Sequence, residues 1–230
     1  MRIYLLRHAD PDYERDTLTT AGHSEARALA QYLQTLQVSE IYASPLGRTQ
    51  ATASYTADLL NLPIFSEPWL REVDSDWVAD LNRSCKRIDP EQNPLAMDIP
   101  GEGRLRRFQP DPRLLEKQMQ PIRDGSDDFL CRQGFVRQGE VYRVRGENRK
   151  SIAVFTHMGV CLAWLSHLLE LPLPVVWSGF FVHPASVTTL LMDERSPGYA
   201  IPRCTGLGDI SHLCLAGSRP RPAGIFANAD

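Results

Sequence analysis

Residues 3–10 read Ile-Tyr-Leu-Leu-Arg-His-Ala-Asp, a four-residue apolar run that stops abruptly in Arg7, His8 and Asp10. A short apolar run bounded by polar residues reads as a buried strand. Its charged ending has two readings: the strand surfaces into solvent, or it delivers an arginine and a histidine to a reaction. Two further segments repeat the pattern. Ile41-Tyr-Ala43 is a short strand followed by Ser44-Pro45, a pair suited to an N-cap and a proline at the first helical position. That helix is expected to run to about Leu60, ahead of Asn61 and Pro63. Ile152-Ala-Val-Phe155 is the third strand, ended by Thr156-His157, and Gly159 opens a helix carrying Leu162, Leu165, Leu168 and Leu169.

After the first strand, Thr19 or Thr20 can cap a helix whose Ala26, Leu29, Ala30, Leu33 and Leu36 recur at helical spacing. Strands alternating with helices predict an α/β fold on a mainly parallel sheet. Ligands of such sheets bind beyond the carboxyl ends of the strands. That rule places His8, Ser44 and His157 on one rim although they lie far apart in the chain. Ser186-Val-Thr-Thr-Leu-Leu191 reads as a further core strand.

The 230 residues are expected to form one domain, with 73–149 as an insertion that caps the rim. Residues 80–125 are rich in Pro, Arg, Asp and Gln and carry little periodicity; Ser126 then caps a short helix that Gly134 terminates. Phe135-Val136 and Val141–Val144 flank Gln138-Gly139 as a hairpin, and the tail after Leu215 is expected to be loosely held.

Composition narrows the function classes. Hydrophobic residues make up 43% and charged residues 23%, an ordinary globular balance. A net charge of -3 provides no electrostatic footprint for nucleic acid or an anionic membrane, so any basic site must be local. Five cysteines without C-x-x-C spacing argue against zinc and against a disulfide framework. The first apolar run is too short for a signal peptide, and no apolar stretch approaches the roughly 20 residues of a membrane span. The expected setting is cytoplasmic.

The chemistry gathers on the rim. Arg48 lies one helical turn beyond Ser44-Pro45, and its planar fork suits bidentate phosphate binding beside helix N–H donors. His157 adds a second imidazole, so two arginines and two histidines make an anion pocket fitted to phosphate. Positive neighbours depress a histidine pKa, which keeps His8 neutral and nucleophilic. A leaving alkoxide needs a proton, and Leu70-Arg-Glu72 offers Glu72, with Asp74 in reserve. Each of these also has a structural reading: a hydrogen-bonded strand-end histidine, a solvated helix arginine, a surface glutamate.

Taken together, Arg7-His8, Leu18-Thr-Thr-Ala-Gly22, Ser44-Pro-Leu-Gly-Arg48-Thr-x-Ala-Thr52, Leu70-Arg-Glu72 and Thr156-His157 resemble, in order, the histidine phosphatase (phosphoglycerate mutase-like) superfamily. Ala185-Ser-Val-Thr188 and Gly208–Leu213 resemble its closing elements. The resemblance covers about 1–72 and 150–213 and implies a three-layer α/β/α sandwich. It implies His8 as the nucleophile that becomes phosphohistidine, and Arg7, Arg48 and His157 as holders of the phosphoryl oxygens. Glu72 would be the acid that then activates water, and neither a metal nor another cofactor would be needed. Ala9 stands where the family usually has glycine. The short 10–17 loop lacks the asparagine that follows the nucleophile in sugar-phosphate mutases, and the glycine-containing run after Glu72 is absent too. These departures favour the phosphatase branch with a large insertion over a true mutase.

The expected activity is therefore hydrolysis of a phosphomonoester, the substrate being a small phosphorylated molecule or a phosphoprotein. A phosphoryl-transferring mutase and a non-catalytic phospholigand-binding module are the alternatives. A metal site built from His8, Asp10, His157 and Asp74 is opposed by Arg7 and Arg48, which would repel the cation. Arg83, Lys86, Arg87, Arg104, Arg106 and Arg107 make the insertion locally basic. Of the other histidines, His23 reads as solvated or capping, His167 and His212 as structural, and His183 as a possible neighbour of the rim; Trp164 and Trp177 read as core or interface residues.

Overall fold

The computed structural model describes residues 1–73 and 112–218. Arg83 to Arg107, Asp74, Cys85 and the extreme tail lie outside the described residues. Strand β1 (Arg2–Arg7) leads through a two-stranded loop, β2 (Pro11–Asp12) and β3 (Thr17–Leu18), into helix α1 (Thr20–Thr35). Thr19 caps α1, its hydroxyl accepting from Gly22 N–H at 3.1 Å. Strand β4 (Glu40–Ala43), helix α2 (Gly47–Leu60) and β5 (Ile64–Ser66) follow, then a single 3-10 turn at Pro68–Leu70. Beyond the undescribed segment come α3 (Pro112–Arg132), β6 (Phe135–Gln138), β7 (Val141–Val144), β8 (Ser151–Thr156), α4 (Met158–Leu169) and α5 (Leu173–Gly179). The chain continues through β9 (Val187–Ser196) and β10 (Tyr199–Asp209) into a last short helix, α6 (Ser211–Leu215).

Among the described residues these strands build an eight-stranded sheet in the order β5-β4-β8-β1-β9-β10-β7-β6. Its pairings from β5 to β1 are parallel and those from β1 to β6 antiparallel. The sheet is thus mixed, because the last third of the chain returns as a long β9–β10 hairpin instead of by helical crossovers. The parallel half is the part that carries the rim.

Alternation along the central strands divides the core in two. Ile3, Leu5, Ile152 and Val154 face one layer with α3, α4 and α5. Tyr4, Leu6, Ile41, Ala153 and Phe155 face the other, with α1, α2 and α6. Helices on both faces make the three-layer α/β/α arrangement. α4 is apolar nearly all round and buried from Gly159 to Ser166, as a helix enclosed by sheet and neighbouring helices must be.

Two local readings are corrected. α2 begins at Gly47 with Leu46 as its cap residue and no side-chain cap bond, so Ser44-Pro45 precedes the helix instead of opening it. Ser126 does not cap a short helix; it lies inside α3, which starts at Pro112 and continues through Pro121. Proline removes a backbone donor and ordinarily ends a helix pattern, which is why the sequence reads as broken there. The expected hairpin forms as β6–β7 and joins the sheet edge through β10. Within the segment read as an insertion, β6 and β7 join the sheet, and Met119, Ile122, Phe129 and Leu130 of α3 join the core.

Inside α3, Ser126 accepts from Trp164 Nε1 at 2.7 Å. Trp164 is fully buried and meets Trp69 and Phe129 edge-on, with ring centroids 4.9 and 5.9 Å away. Trp69 donates to Glu67 at 2.9 Å. This aromatic cluster fixes the 3-10 turn that precedes Glu72, so distant packing sets where the candidate acid stands. Trp177 is buried as well.

Candidate active site

The rim forms because the parallel ladder continues one residue past each strand. His8 N–H donates to Thr156 O at 2.9 Å, Ser44 N–H to Phe155 O at 2.9 Å, and Glu67 N–H to Ala43 O at 2.9 Å. His8, Ser44 and His157 are thereby held side by side at the carboxyl ends of β1, β4 and β8. Strand alternation turns His8 and His157 toward α2, and their ring centroids are 5.2 Å apart in an edge-on arrangement. Arg7 and Thr156 turn to the opposite face. Arg7 Nη1 donates to Val182 O at 2.8 Å there, and the Phe181 ring lies 5.9 Å from its guanidinium carbon.

His8 is almost fully buried, and its Nδ1 lies 2.8 Å from Ala9 O. A carbonyl oxygen only accepts, so Nδ1 carries the proton and Nε2 keeps its lone pair. Burial, and after it the Arg7 guanidinium, pushes the imidazole pKa down to about 3. The ring is a neutral base of defined tautomer at any ordinary pH. Behind it, Thr52 accepts from Ala9 N–H at 3.1 Å while donating to Arg48 O at 2.8 Å, clamping the residue after the histidine to α2.

His157 is wholly buried, and its Nε2 meets Ser44 Oγ at 2.9 Å and Thr49 Oγ1 at 3.2 Å. Its Nδ1 has no hydrogen-bond partner among the described residues and faces Glu72 Oε2 at 3.9 Å. Burial first, then His8 and the arginines, lowers its pKa to about 2. Glu72 reaches the rim because Thr156 Oγ1 donates to Leu70 O at 2.9 Å, pinning its segment to the end of β8. Burial raises the Glu72 pKa, opposed by the N–H groups of Val73 and Gly159. Gly159 is needed for this approach: a Cβ there would stand 2.7 Å from Glu72 Oε1 and collide with the Val73 side chain.

Arg48 projects from the first turn of α2 with its side chain 11% exposed. Its Nη1 donates to Asp16 Oδ1 at 2.6 Å, the Tyr13 ring lies 5.4 Å from its guanidinium carbon, and its Nε is buried with no hydrogen-bond partner among the described residues. Buried polar atoms without a partner are costly unless a ligand satisfies them. The Arg48 Nε and the His157 Nδ1 are two such groups on one rim.

Of the five residues singled out in the sequence, His8, Arg48, Glu72 and His157 gather here, and Arg7 acts on both imidazoles by its charge from the opposite face of the sheet. Asp10 does not join them as a ligand, since its carboxylate accepts from Thr19 Oγ1 at 2.6 Å and its N–H donates to Glu25 at 2.8 Å. His183 packs edge-on against Phe181 at 4.8 Å, one residue layer away from Arg7. His23 meets the Tyr55 hydroxyl at 3.0 Å, His167 meets Arg137 and Asp127, and His212 stacks on Tyr32. Sequence reasoning placed Ser44 on the rim but gave its hydroxyl, and those of Thr49, Thr52 and Thr156, no part in the site. Neutral hydroxyls read only as caps or strand formers, and nothing in the linear sequence points them at an imidazole.

The two depressed histidines predict an acid limb in stability. Between the unfolded value of 6.5 and the folded values of about 3 and about 2, the unfolded chain binds protons that the folded chain refuses. Stability therefore falls as pH drops below 6.5, each histidine contributing a slope of up to about 1.4 kcal/mol per pH unit. Urea unfolding from pH 7 to pH 4 should show His157→Gln with a shallower decline than wild type. Parallel declines in the two proteins would contradict the buried neutral imidazole.

Parts of the chain match known proteins. Residues 3–103 match the histidine phosphatase superfamily (branch 1). A probable phosphoglycerate mutase GpmB of Enterobacter is 36% identical over 83 residues, covering 32% of this chain and 39% of the relative. The Yersinia enterocolitica protein of the same name is 30% identical over 101 residues, covering 40% and 46%. The matched stretch thus spans less than half the length of these relatives. Among solved structures, phosphoserine phosphatase from Entamoeba histolytica in complex with 3-phosphoglyceric acid superposes with a TM-score of 0.60 at 20% identity, over 92% of this chain and 98% of that one. Bacillus stearothermophilus YhfR gives 0.61 at 21% identity over the same shares. A mycobacterial glucosyl-3-phosphoglycerate phosphatase in complex with VO3 gives 0.59 at 20%, over 90% and 98%. Residues 3–103 thus resemble the histidine phosphatase superfamily (branch 1), and the fold over most of the chain is similar to that of these solved structures.

Proposed function

We propose that the chain is a phosphomonoester phosphohydrolase working through a phosphohistidine at His8. The observation that carries this reading is the bond between His8 Nδ1 and Ala9 O, which leaves Nε2 as a buried, neutral nucleophile beside two arginines. Nε2 attacks phosphorus while the bond to the leaving oxygen breaks, and Glu72 gives that oxygen its proton. Water then attacks phosphorus and the P–N bond breaks. Glu72 takes the water's proton, and inorganic phosphate leaves. Arg7, Arg48 and His157 hold the phosphoryl oxygens and stabilise the charge they gather, the role of preorganised donors in a dry site. The guanidinium groups supply the positive charge, so this chemistry asks for no metal ion. The substrate class is a phosphoryl group on a small molecule, and a phosphoprotein presenting one is the extended case.

A panel containing phosphoserine, 3-phosphoglycerate and p-nitrophenyl phosphate, assayed for phosphate release, tests the proposal. Stoichiometric phosphate with dephosphorylated product is expected. Isomerised phosphoester without free phosphate would make the chain a mutase, as its probable phosphoglycerate mutase relatives are named. Binding without either product would make it a phospholigand-binding module.

A further inference from the structure

Asp16 is assigned no part in the chemistry above, yet it holds the start of α2 and the Arg48 side chain at once. Its Oδ2 accepts from Gly47 N–H at 2.7 Å and its Oδ1 from Arg48 Nη1 at 2.6 Å, with Arg48 N–H 3.5 Å away. The carboxylate thus supplies, from a loop some thirty positions earlier, the side-chain cap that α2 lacks locally. Two features show that the arrangement is built in. Asp16 adopts a left-handed backbone with φ 47°, uncommon outside glycine though more accessible to aspartate than to most residues. Gly47 packs so closely on the Asp16 carbonyl that any Cβ there would collide with it. An arginine side chain has several rotatable bonds and is costly to immobilise, and a bidentate phosphate site tolerates little misplacement. Fixing Nη1 through Asp16 leaves the buried Nε, which has no hydrogen-bond partner among the described residues, to meet an incoming oxygen.

Resting on the phosphohydrolase reading, we propose that Asp16 is a positioning residue for the reaction, acting through Arg48 by holding its guanidinium in the geometry of the transferring phosphoryl group. The alternative is that Asp16 merely occupies the anion site and competes with phosphate. The two differ in sign. Loss of a competing carboxylate tightens anion binding, whereas loss of a positioning one weakens binding of a transition-state mimic.

The test compares wild type, Asp16→Asn, Arg48→Ala and the double variant, by kcat and KM and by the binding of vanadate and inorganic phosphate. Asp16→Asn should lose roughly ten- to a hundredfold in kcat and in vanadate affinity, with KM and phosphate affinity changed by less than about threefold. In the Arg48→Ala background the same substitution should cost almost nothing, because the residue it acts through is gone. Unchanged kcat with a lowered melting temperature would reduce Asp16 to a helix cap and overturn the proposal. Tighter phosphate binding, or losses that simply add in the double variant, would overturn it as well. Vanadate binding keeps the two readings separable: a wild type that binds vanadate without turnover ends the hydrolase reading and leaves the Asp16→Asn affinity to decide for Asp16. A wild type that binds neither anion ends both.

Discussion

His8→Ala should remove turnover of every phosphomonoester by a factor on the order of 10⁴ or more while leaving the protein folded. The size follows from the site. His8 Nε2 is the nitrogen whose lone pair is fixed by the Nδ1 contact to Ala9 O, and burial with Arg7 keeps it unprotonated. The neighbouring His157 is not expected to substitute, since its Nε2 is engaged by the hydroxyls of Ser44 and Thr49 and its Nδ1 faces the Glu72 carboxyl. Brief incubation with a radiolabelled phosphomonoester and alkaline quenching should leave an acid-labile label on wild type and none on His8→Ala. Circular dichroism and the melting curve check that the variant is folded. Label surviving in His8→Ala, or turnover within tenfold of wild type, would place the nucleophile elsewhere.

The second large effect is expected at Glu72. Glu72→Gln should lower kcat by about 10²- to 10⁴-fold on a substrate with an alkyl leaving group, the usual contribution of a positioned general acid. With p-nitrophenyl phosphate, whose leaving group needs no proton, the phosphorylation step should be far less affected. The pH dependence carries the sign. Burial raises the Glu72 pKa, so the acid form extends to higher pH than for an exposed glutamate. The rate of alkyl phosphate cleavage should hold on the acid side of that raised value and fall as pH climbs through it. Glu72→Gln should flatten that alkaline limb along with the rate. A limb that persists at the same pH in the variant would assign the acid to another carboxyl, with Asp74 the nearest in sequence.

These predictions rest on residues of two kinds, and only one kind was legible from the linear chain. Arg7, His8, Arg48, Glu72 and His157 stand where apolar runs end or helices begin, and charge interrupting an apolar pattern is visible without coordinates. Asp10, to which the resemblance assigns no role, bonds within its own loop. Ser44 was read as a helix cap, yet its hydroxyl meets His157 and α2 starts three residues later. The cap for α2 comes from Asp16, a contact between residues far apart in the chain that no local signal announces. α3 was read too short because Pro121 breaks the local pattern, whereas packing of its Phe129 and Leu130 into the core keeps the helix whole.

The sequence by itself determined that strand ends would carry the arginines and histidines, because burial of Ile3–Leu6, Ile41–Ala43 and Ile152–Phe155 follows from hydrophobicity and period alone. Only the tertiary structure decided that the sheet is mixed, since the pairing partner of a strand is a long-range choice. It alone set the His8 tautomer, the His157 Nδ1 without a hydrogen-bond partner among the described residues, and the fixed Arg48. Those depend on hydrogen bonds and desolvation, which exist only once separate segments have been brought together and water has left.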